Sequence, residues 1–260
     1  MRNLPVFSSL MWVALSVAFF PNDAVHAQDP VWADTRPNND LSGEFRWGGA
    51  SMVFLPVDGG MLTMDCNCRY EDISGVGVSF AAALSYRFDP SYALAARAGY
   101  RFFMPNYRQQ YQSTVYAPLG DERLVTFERR AEMILQTASV EIFLRWDPHV
   151  SRFYVLAGPS LDFLVSSSFK ETERILTPGI VYWQSGTNER LFHDGSLGDA
   201  MKVRKWSVGI EGTVGYTFSL GVLSLSPEIG FRFPLNGFSP SHSSWKMTEI
   251  RGGITVETPW

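Results

Sequence analysis

Eight segments of the chain alternate between apolar and polar side chains with a period of two. This alternation is typical of β-strands that have one apolar and one polar face. Beyond residue 40 the sequence contains no long segment with the 3.6-residue period of an amphipathic helix. We therefore predict an all-β fold. The predicted strands cover residues 44–55, 76–88, 92–102, 134–146, 153–163, 206–218, 223–233 and 249–260.

The alternation alone leaves open which face is outside. A water-soluble, lipocalin-like barrel turns its apolar face inward, whereas a transmembrane barrel turns it toward lipid. Connection lengths favour the membrane, because long connections (56–75, 104–131, 165–203 and 234–247) alternate with short ones (89–91, 147–151 and 219–221). Outer-membrane barrels have long extracellular loops and short periplasmic turns in this way.

Large aromatic side chains lie near the ends of the apolar faces, as in the girdles of membrane proteins. The last residue, Trp260, is also aromatic. We therefore predict a closed, eight-stranded, antiparallel up-and-down transmembrane barrel with long extracellular loops. The girdle candidates are Tyr86, Phe88, Tyr92, Trp146, Phe153, Tyr216 and Phe218.

Two predicted strands end in similar strings, Arg87-Phe88-Asp89-Pro90 and Arg145-Trp146-Asp147-Pro148. We interpret the aromatic residue of each string as a girdle residue at the periplasmic surface. The arginine then points into the lumen, and Asp-Pro begins the tight turn.

The polar face of the strands carries both signs of charge in near balance. Eight strands enclose an interior that side chains can fill, and an unpaired charge there is costly. We therefore expect a packed ionic lumen without an open pore. Two prolines inside strands, Pro159 and Pro227, should lie at bulges or beyond the true strand ends. The lumen residues are Arg46, Arg87, Arg97, Arg101, Arg145, Arg232, Arg251, Glu141, Asp162, Glu211, Glu228, Glu249 and Glu257.

The N-terminus has the pattern of a secretory signal peptide. A basic residue, Arg2, precedes the apolar run 10–20, and Val25-His26-Ala27 matches a cleavage site. We predict a signal peptide over 1–27, a barrel domain over 28–260 and a location in the bacterial outer membrane. The net charge of −4 indicates no nucleic-acid partner. No cofactor is predicted, and Cys66 and Cys68 have too few neighbouring ligands to predict a metal site.

The alternating strands, together with Ala157-Gly158-Pro159-Ser160-Leu161, resemble the eight-stranded bacterial outer-membrane barrels that include the transmembrane domain of OmpA and the OmpX group. The resemblance covers nearly the whole mature chain and implies an architecture rather than an activity. Because the sequence ends at Trp260, we expect no peptidoglycan-binding domain of the OmpA kind.

Two of the long loops contain predicted hairpins. Residues 106–130 read as two strands that project beyond the membrane, and residues 169–176 and 180–183 flank a Thr177-Pro178-Gly179 turn. Exposed strand edges can bind proteins by strand addition, which gives loops 104–131 and 165–203 a possible extracellular protein partner. The alternative is that lipopolysaccharide sugars shield these loops and no protein binds.

Lys202 and Arg204 share the outward parity of Trp206 at the extracellular end of the sixth strand. We predict that they bind lipopolysaccharide, because Lys and Arg pair favourably with phosphate. The alternative is ordinary solvated charge.

The function we expect is a non-enzymatic outer-membrane protein that supports the envelope or binds partners through its loops, and we assign no catalytic residue. The alternative is a lipid A-modifying acyl hydrolase, because His242 and Ser244 with Glu249 or Glu257 could form a nucleophile, base and orienting acid. A small-solute channel is the third hypothesis. His149 and His193 are expected to be surface residues.

Overall fold

The chain divides into two units, Met1–Asn38 and Asn39–Trp260, and the residues described below belong to the second. The predicted signal peptide, the two cysteines, His149, His242, Ser244 and Trp260 lie outside the described residues. The computed structural model describes residues 43–58, 62–63, 69–70, 72–116, 122–148, 152–182, 185–200, 202–237 and 246–259.

Eight long strands form a closed antiparallel ring. Each strand pairs with the next in the chain, and the last pairs with the first, as in Phe54↔Arg251. The predicted fold class, an all-β eight-stranded barrel, is therefore confirmed. The strands are β1 (Glu44–Asp58), β2 (Asp72–Asp89), β3 (Tyr92–Tyr116), β4 (Glu122–Trp146), β5 (Phe153–Ile175), β6 (Trp206–Tyr216), β7 (Leu223–Pro234) and β8 (Thr248–Pro259).

Among the described residues, five short elements accompany the ring. A two-residue ladder joins Leu62–Thr63 to Arg69–Tyr70, and Phe218–Leu220 folds back on β7 around Gly221, whose positive φ of 65° suits a glycine. Glu189–Gly195, called the flanking strand here, pairs with β5. A short helix, α1 (Leu197–Ala200), follows it. Within the described ranges, no helix has the length and apolar character needed to span a membrane.

Alternation along each strand divides the side chains between two faces. The outward face is apolar and exposed, with Trp47, Leu144 and Ile229 at 56%, 51% and 64%. The inward face contains charged residues that are nearly inaccessible, such as Glu141 and Arg251 at 3% each. Exposed apolar side chains in a continuous band are what lipid contact requires.

The two Arg-aromatic-Asp-Pro strings differ in the role of their aspartate. Phe88 and Trp146 both point outward and are exposed, as predicted. Asp89 begins its turn by accepting a hydrogen bond from the Ser91 N–H at 2.8 Å. Asp147 instead points inward and pairs with Arg87 and Arg145 at 3.0 Å each, so only the first aspartate has the predicted turn role.

Three strands continue past the rest of the barrel at the end that has the long loops, called the long-loop end. β3 and β4 have 25 residues each, whereas β8 has 12. The projecting hairpin predicted for 106–130 is therefore present. The part beyond the barrel, called the extension, consists of β3 109–116, β4 122–132, β5 167–175 and the flanking strand.

The second predicted hairpin has a different return strand. β5 continues to Ile175, and a turn follows at 177–179, but 180–182 form no strand. The strand that returns along β5 is Glu189–Gly195. The Tyr182 hydroxyl donates a hydrogen bond to Glu173 at 2.7 Å, which holds residues 180–182 against the sheet rather than in its ladder.

Both prolines lie within strands and neither lies at a bulge, so that prediction was wrong. Pro159 pairs in register with Ile210 of β6, while the ladder to β4 is interrupted beside it. Pro227 pairs with Ile254 of β8, and the ladder to β6 begins only at Glu228. Each proline thus occupies a position where one neighbouring ladder does not use its missing N–H.

Candidate functional site inside the barrel

A layer of buried ion pairs crosses the middle of the barrel interior. Arg101 of β3 binds Asp162 of β5 at 3.0 Å and also contacts Glu249 of β8. Arg232 of β7 reaches the same Asp162 carboxylate at 2.5 Å. Since alternate positions of every strand face inward, the closed ring brings together residues that are far apart in sequence.

Arg251 of β8 lies at the centre of this layer. Its guanidinium donates to Glu141 of β4 at 2.8 Å and to Glu211 of β6. Glu211 also lies 3.4 Å from Arg232, and all four side chains are 4% exposed or less. One arginine therefore compensates two buried carboxylates from the strands on either side of β5.

A third group continues the layer toward the end with the short connections, called the short-turn end. Arg97 binds Glu228 at 2.5 Å and Thr255 at 3.1 Å. Glu228 also accepts hydrogen bonds from Tyr154 at 2.6 Å and from Thr255 at 2.9 Å. The Arg97 guanidinium lies 5.4 Å from the centre of the Phe143 ring. Polar and aromatic partners thus surround this pair on several sides.

A second ionic layer occupies the short-turn end. Arg145 pairs with Asp147 and with Glu257 at 3.5 Å, and its guanidinium lies 3.9 Å from the Tyr154 ring centre. Arg87 pairs with the same Asp147, and Arg46 pairs with Glu44 at 3.0 Å. Arg46 and Arg87 retain 22% and 20% exposure, because they lie at the mouth of the barrel.

Every residue predicted for the lumen takes part in one of these ion pairs. The predicted list of lumen charges did not include Glu44, Asp147 and Tyr154, which the structure adds. Glu44 shares the parity of Arg46 and could have been found by that signal. Asp147 could not, because Asp-Pro is also a turn signal. The central layer contains Arg97, Arg101, Arg232 and Arg251 with Glu141, Asp162, Glu211, Glu228 and Glu249.

Two small cavities lie between the described side chains of these layers. A cavity of about 20 Å³ lies beside Arg101, Asp162 and Glu249. Another of about 10 Å³ lies between Arg46, Arg87 and neighbouring side chains. Cavities of roughly 10–15 Å³ hold about one water molecule, so neither is a passage for solutes.

An apolar layer covers the central ionic layer at the long-loop end. Phe54, Phe103 and Leu135 face inward there and are 1–5% exposed. Leu197 of α1 and Met247 pack onto them from the loops at 0% and 2% exposure. The sequence prediction of an ionic lumen did not include this layer. The Arg101 guanidinium lies 4.5 Å from the Phe54 ring centre and joins the two layers.

Comparison with known proteins places this architecture in a family. The family model described as "Outer membrane protein beta-barrel domain" matches residues 44–239, which is more than half of the chain. The chain belongs to the outer membrane protein β-barrel family. Its predicted location in the bacterial outer membrane is accordingly confirmed. No curated protein matches the chain.

Solved structures of other outer membrane proteins are similar to this outer membrane barrel. OprG from Pseudomonas aeruginosa is 11% identical with a TM-score of 0.39, over 84% of this chain and 96% of that one. Neisserial surface protein A is 11% identical with a TM-score of 0.32, over 84% and 98%. Ail, the attachment invasion locus protein of Yersinia pestis, is 8% identical with a TM-score of 0.29, over 85% and 100%. At these values the similarity carries no argument about activity.

The extension of the outer membrane barrel contains a second polar cluster, centred on Glu173. Its carboxylate accepts hydrogen bonds from the Tyr111 hydroxyl, from the Tyr182 hydroxyl at 2.7 Å and from the Arg129 Nε at 2.9 Å. Burial alone would raise the pKa of Glu173, but these three donors outweigh it and hold the pKa below its ordinary value. Burial and the hydrogen bond to Glu173 raise the pKa of Tyr111 to about 12.

Stacked side chains hold the same face of the extension together. The Phe192 ring centre lies 4.6 Å from the Arg129 guanidinium and 4.2 Å from that of Arg190. Tyr111 stacks on Phe127 with ring centres 5.2 Å apart. Cation–π contacts and aromatic stacking both favour fixed geometry, so we expect this face to be rigid. The sequence prediction had not singled out Glu173, Arg129 or Phe192.

The two residues predicted to bind lipopolysaccharide lie just before β6 and not in it. Lys202 is exposed and Arg204 is half-buried, in a segment without strand structure. The parity with Trp206 therefore does not define where they point, and lipopolysaccharide binding remains a prediction. His193 is half-buried, with its ring centre 5.4 Å from that of Phe169.

The described part of the outer membrane barrel supports neither a metal site nor the acyl hydrolase hypothesis. No group of three or more His, Cys, Asp or Glu side chains there is arranged to hold a metal ion. His242 and Ser244 lie outside the described residues, so the hydrolase hypothesis keeps only its sequence spacing. Glu249, its proposed orienting acid, points into the barrel and pairs with Arg101.

Proposed function

We propose that this protein is a non-enzymatic, non-conducting anchor in the outer membrane that holds the extension in the extracellular space for partner binding. The observation that carries the proposal is the sealed interior below a projecting sheet. The central ion pairs and the apolar layer fill the barrel, whereas the extension continues β3, β4 and β5 beyond it.

The ionic layer supports the absence of conduction. A solute path through the barrel would separate Arg251 from Glu141 and Glu211, or Arg101 from Asp162. Removing one partner of a buried ion pair costs about 3–5 kcal/mol, so spontaneous opening is rare. The apolar layer acts in series, because Phe54 and Phe103 exclude water next to the same cavity.

The construction of the extension supports a binding role. Two strands that only needed to be connected could end at the membrane with a tight turn. Here Glu173 has three hydrogen-bond donors, and Val125, Phe127 and Ile175 form a separate small core outside the barrel. Side chains that make the extension rigid suit a binding surface that must be presented in one conformation.

Lys202 and Arg204 are proposed to contact phosphate groups of lipopolysaccharide. They precede exposed Trp206, and Lys205 is tied to β5 because its carbonyl accepts the Leu164 N–H at 2.8 Å. This anchors the basic segment near the upper rim of the apolar band. Replacing both residues with Ala should lower the lipopolysaccharide that copurifies with the protein, and unchanged retention would remove this part of the proposal.

Two measurements on one preparation test the main proposal. The full mature protein is inserted into planar bilayers, and the same protein is incubated with purified lipid A, whose mass is then determined. We expect no steady conductance and no loss of an acyl chain. A matched variant with Phe54, Phe103 and Leu135 changed to Ala removes only the apolar layer and should also remain closed. Stable single-channel steps from the unmodified protein, or a deacylated product, would overturn the proposal.

A further inference from the structure

We propose that Arg190 of the flanking strand is the anchor of a binding surface on the extension and binds a carboxylate group of a protein partner. The inference rests on the proposed function, because it specifies where the extension binds and which chemical group it recognises. Arginine is suited to this role, since its planar guanidinium can bind both oxygens of a carboxylate at once.

Arg190 forms no ion pair with any other residue that the structure describes. Its neighbour across the ladder to β5 is Glu173, but that carboxylate accepts its hydrogen bonds from two tyrosines and from Arg129. The Arg190 side chain is exposed. Its N–H donors are therefore available to a partner, whereas Arg129 already pairs with Glu173 at 2.9 Å.

Two aromatic rings hold the Arg190 guanidinium in place. Its central carbon lies 4.2 Å from the centre of the Phe192 ring and 6.0 Å from the centre of the Tyr182 ring. An arginine that stacks on aromatic faces keeps the N–H donors at the rim of its planar group free. The group is therefore positioned before a partner arrives, which lowers the entropy cost of binding.

A bulge in the flanking strand contributes to this arrangement. The ladder to β5 shifts register between Glu171 and Thr172, so Phe192 has no partner residue in it. A bulge changes the direction of the side chains beside it. Here the extra residue supplies the ring that contacts both Arg190 and Arg129, at 4.2 Å and 4.6 Å.

The groups that this surface offers to a partner favour an anion. The guanidinium rim of Arg190 has hydrogen-bond donors and no acceptor. Phe192 is exposed, but two guanidinium groups lie over its ring, so a partner meets mainly the ring edge. The edge is the positive part of the aromatic quadrupole. A carboxylate therefore suits both side chains.

The partner we infer is a protein with one acidic side chain between apolar ones, rather than a polyanion. Acidic residues outnumber basic ones in the extension, and Arg129 is compensated by Glu173. A polyanion is attracted by many uncompensated positive charges, which the extension lacks. Phe192 and Val181 are exposed apolar side chains on either side of Arg190 and Tyr182 in the chain, so apolar contacts can accompany the carboxylate.

Selection from a peptide library tests the inference. The bait is the full mature protein in lipid nanodiscs, and the probe is a phage-displayed library of random linear peptides. We expect the enriched peptides to share an acidic residue flanked by apolar residues. A synthetic peptide with the enriched sequence should bind saturably. Its analogue with an amide in place of the acid should bind at least about tenfold more weakly.

Variants of the anchor separate its charge from its geometry. Arg190→Gln should weaken binding of the selected peptide at least about tenfold. Arg190→Lys keeps the charge but loses the planar stack, so it should weaken binding as well. The matched control is Arg174→Gln, which removes an exposed arginine one ladder position away on the other face of the sheet. It should change affinity less than about twofold.

Four results would overturn the inference. They are an empty selection, enriched peptides without an acidic residue, equal binding to Arg190→Gln, and binding of dextran sulfate that requires Arg190. Near-ultraviolet circular dichroism of the tyrosines should be unchanged in Arg190→Lys, which shows that the extension is folded when binding is measured. None of these results would affect the conductance and lipid A measurements, which test the proposed function separately.

Discussion

The barrel interior and the extension both contain arginine–carboxylate clusters, but their surroundings differ. Arg251 and its two carboxylates are 4% exposed or less and lie inside the band that faces lipid. In the extension, Arg130 is 38% exposed where it pairs with Glu128 at 2.5 Å. An arginine–carboxylate pair is therefore costly to break inside the barrel, where both charges are buried. In the extension the same kind of pair is screened by solvent and contributes little.

The interior ion pairs act as one unit. Arg232 and Arg101 share Asp162, and Arg232 and Arg251 share Glu211. Removing one member changes the balance for several others, which is the condition for large and non-additive effects. The Glu173 cluster is intermediate, because its acceptor is buried while two of its donors are hydroxyl groups at the surface of the extension.

The largest expected effect is that of Arg251→Ala. The substitution leaves Glu141 and Glu211 buried without their shared guanidinium. We expect the free energy of unfolding to fall by about 3–5 kcal/mol. Unfolding by guanidinium chloride, measured on protein folded in phospholipid vesicles, gives this change in free energy.

The matched control also lacks the arginine, but it removes the carboxylate charges that the loss of the arginine leaves behind. Arg251→Met combined with Glu141→Gln and Glu211→Gln should recover most of the lost stability, because no unpaired carboxylate remains. A loss of under about 1 kcal/mol for Arg251→Ala alone would mean that water reaches the central layer. The ion pairs of the barrel and of the extension would then not differ in strength.

An intermediate effect is expected for Glu173→Gln. The change removes the charge that accepts from Tyr111, Tyr182 and Arg129. We expect the extension to lose about 1–2 kcal/mol, while the barrel remains folded. Near-ultraviolet circular dichroism reports the tyrosines of the extension, and the electrophoretic shift on heating reports the barrel. Loss of both signals together would mean that the extension is not a separate unit.

The pH dependence of the same cluster has a defined sign. Because the pKa of Glu173 is lowered in the folded protein, ionised Glu173 stabilises the fold. This contribution is fully present at pH values above the ordinary glutamate pKa of about 4.3. It is lost as the pH falls through the lowered value. The tyrosine dichroism of the unmodified protein should therefore decrease in this acid range, whereas Glu173→Gln should show no such step. A step of equal size in the variant would assign it to another group.

The smallest effect is expected for Arg130→Ala. Arg130 pairs with Glu128 but also lies opposite Arg108 across the β3–β4 ladder, where like charges repel. The two contributions offset each other, so the free energy of unfolding should change by less than about 1 kcal/mol. The same vesicle assay checks this value, and a change as large as that of Arg251→Ala would contradict the distinction between the two regions.

The charged residues on the barrel strands were predictable because one rule governs their direction. Arg145 and Trp146 are neighbours in sequence, and period-two alternation alone sends the first inward and the second outward. The extension followed the rule only in part. The flanking strand escaped prediction because the register shift at Phe192 and its mixed polarity interrupt the alternation.

The sequence by itself determined the number of strands in the ring, the two faces of each strand and most of the charges that share the interior, because a strand repeats its side-chain direction every second residue. The tertiary structure alone decided which charges pair. Arg251 meets Glu141 only when the ring closes, and Leu197 and Met247 complete the apolar layer from loops that have no periodic pattern. Local alternation is a property of consecutive residues, whereas ion-pair partners and loop packing depend on register and closure across the whole ring.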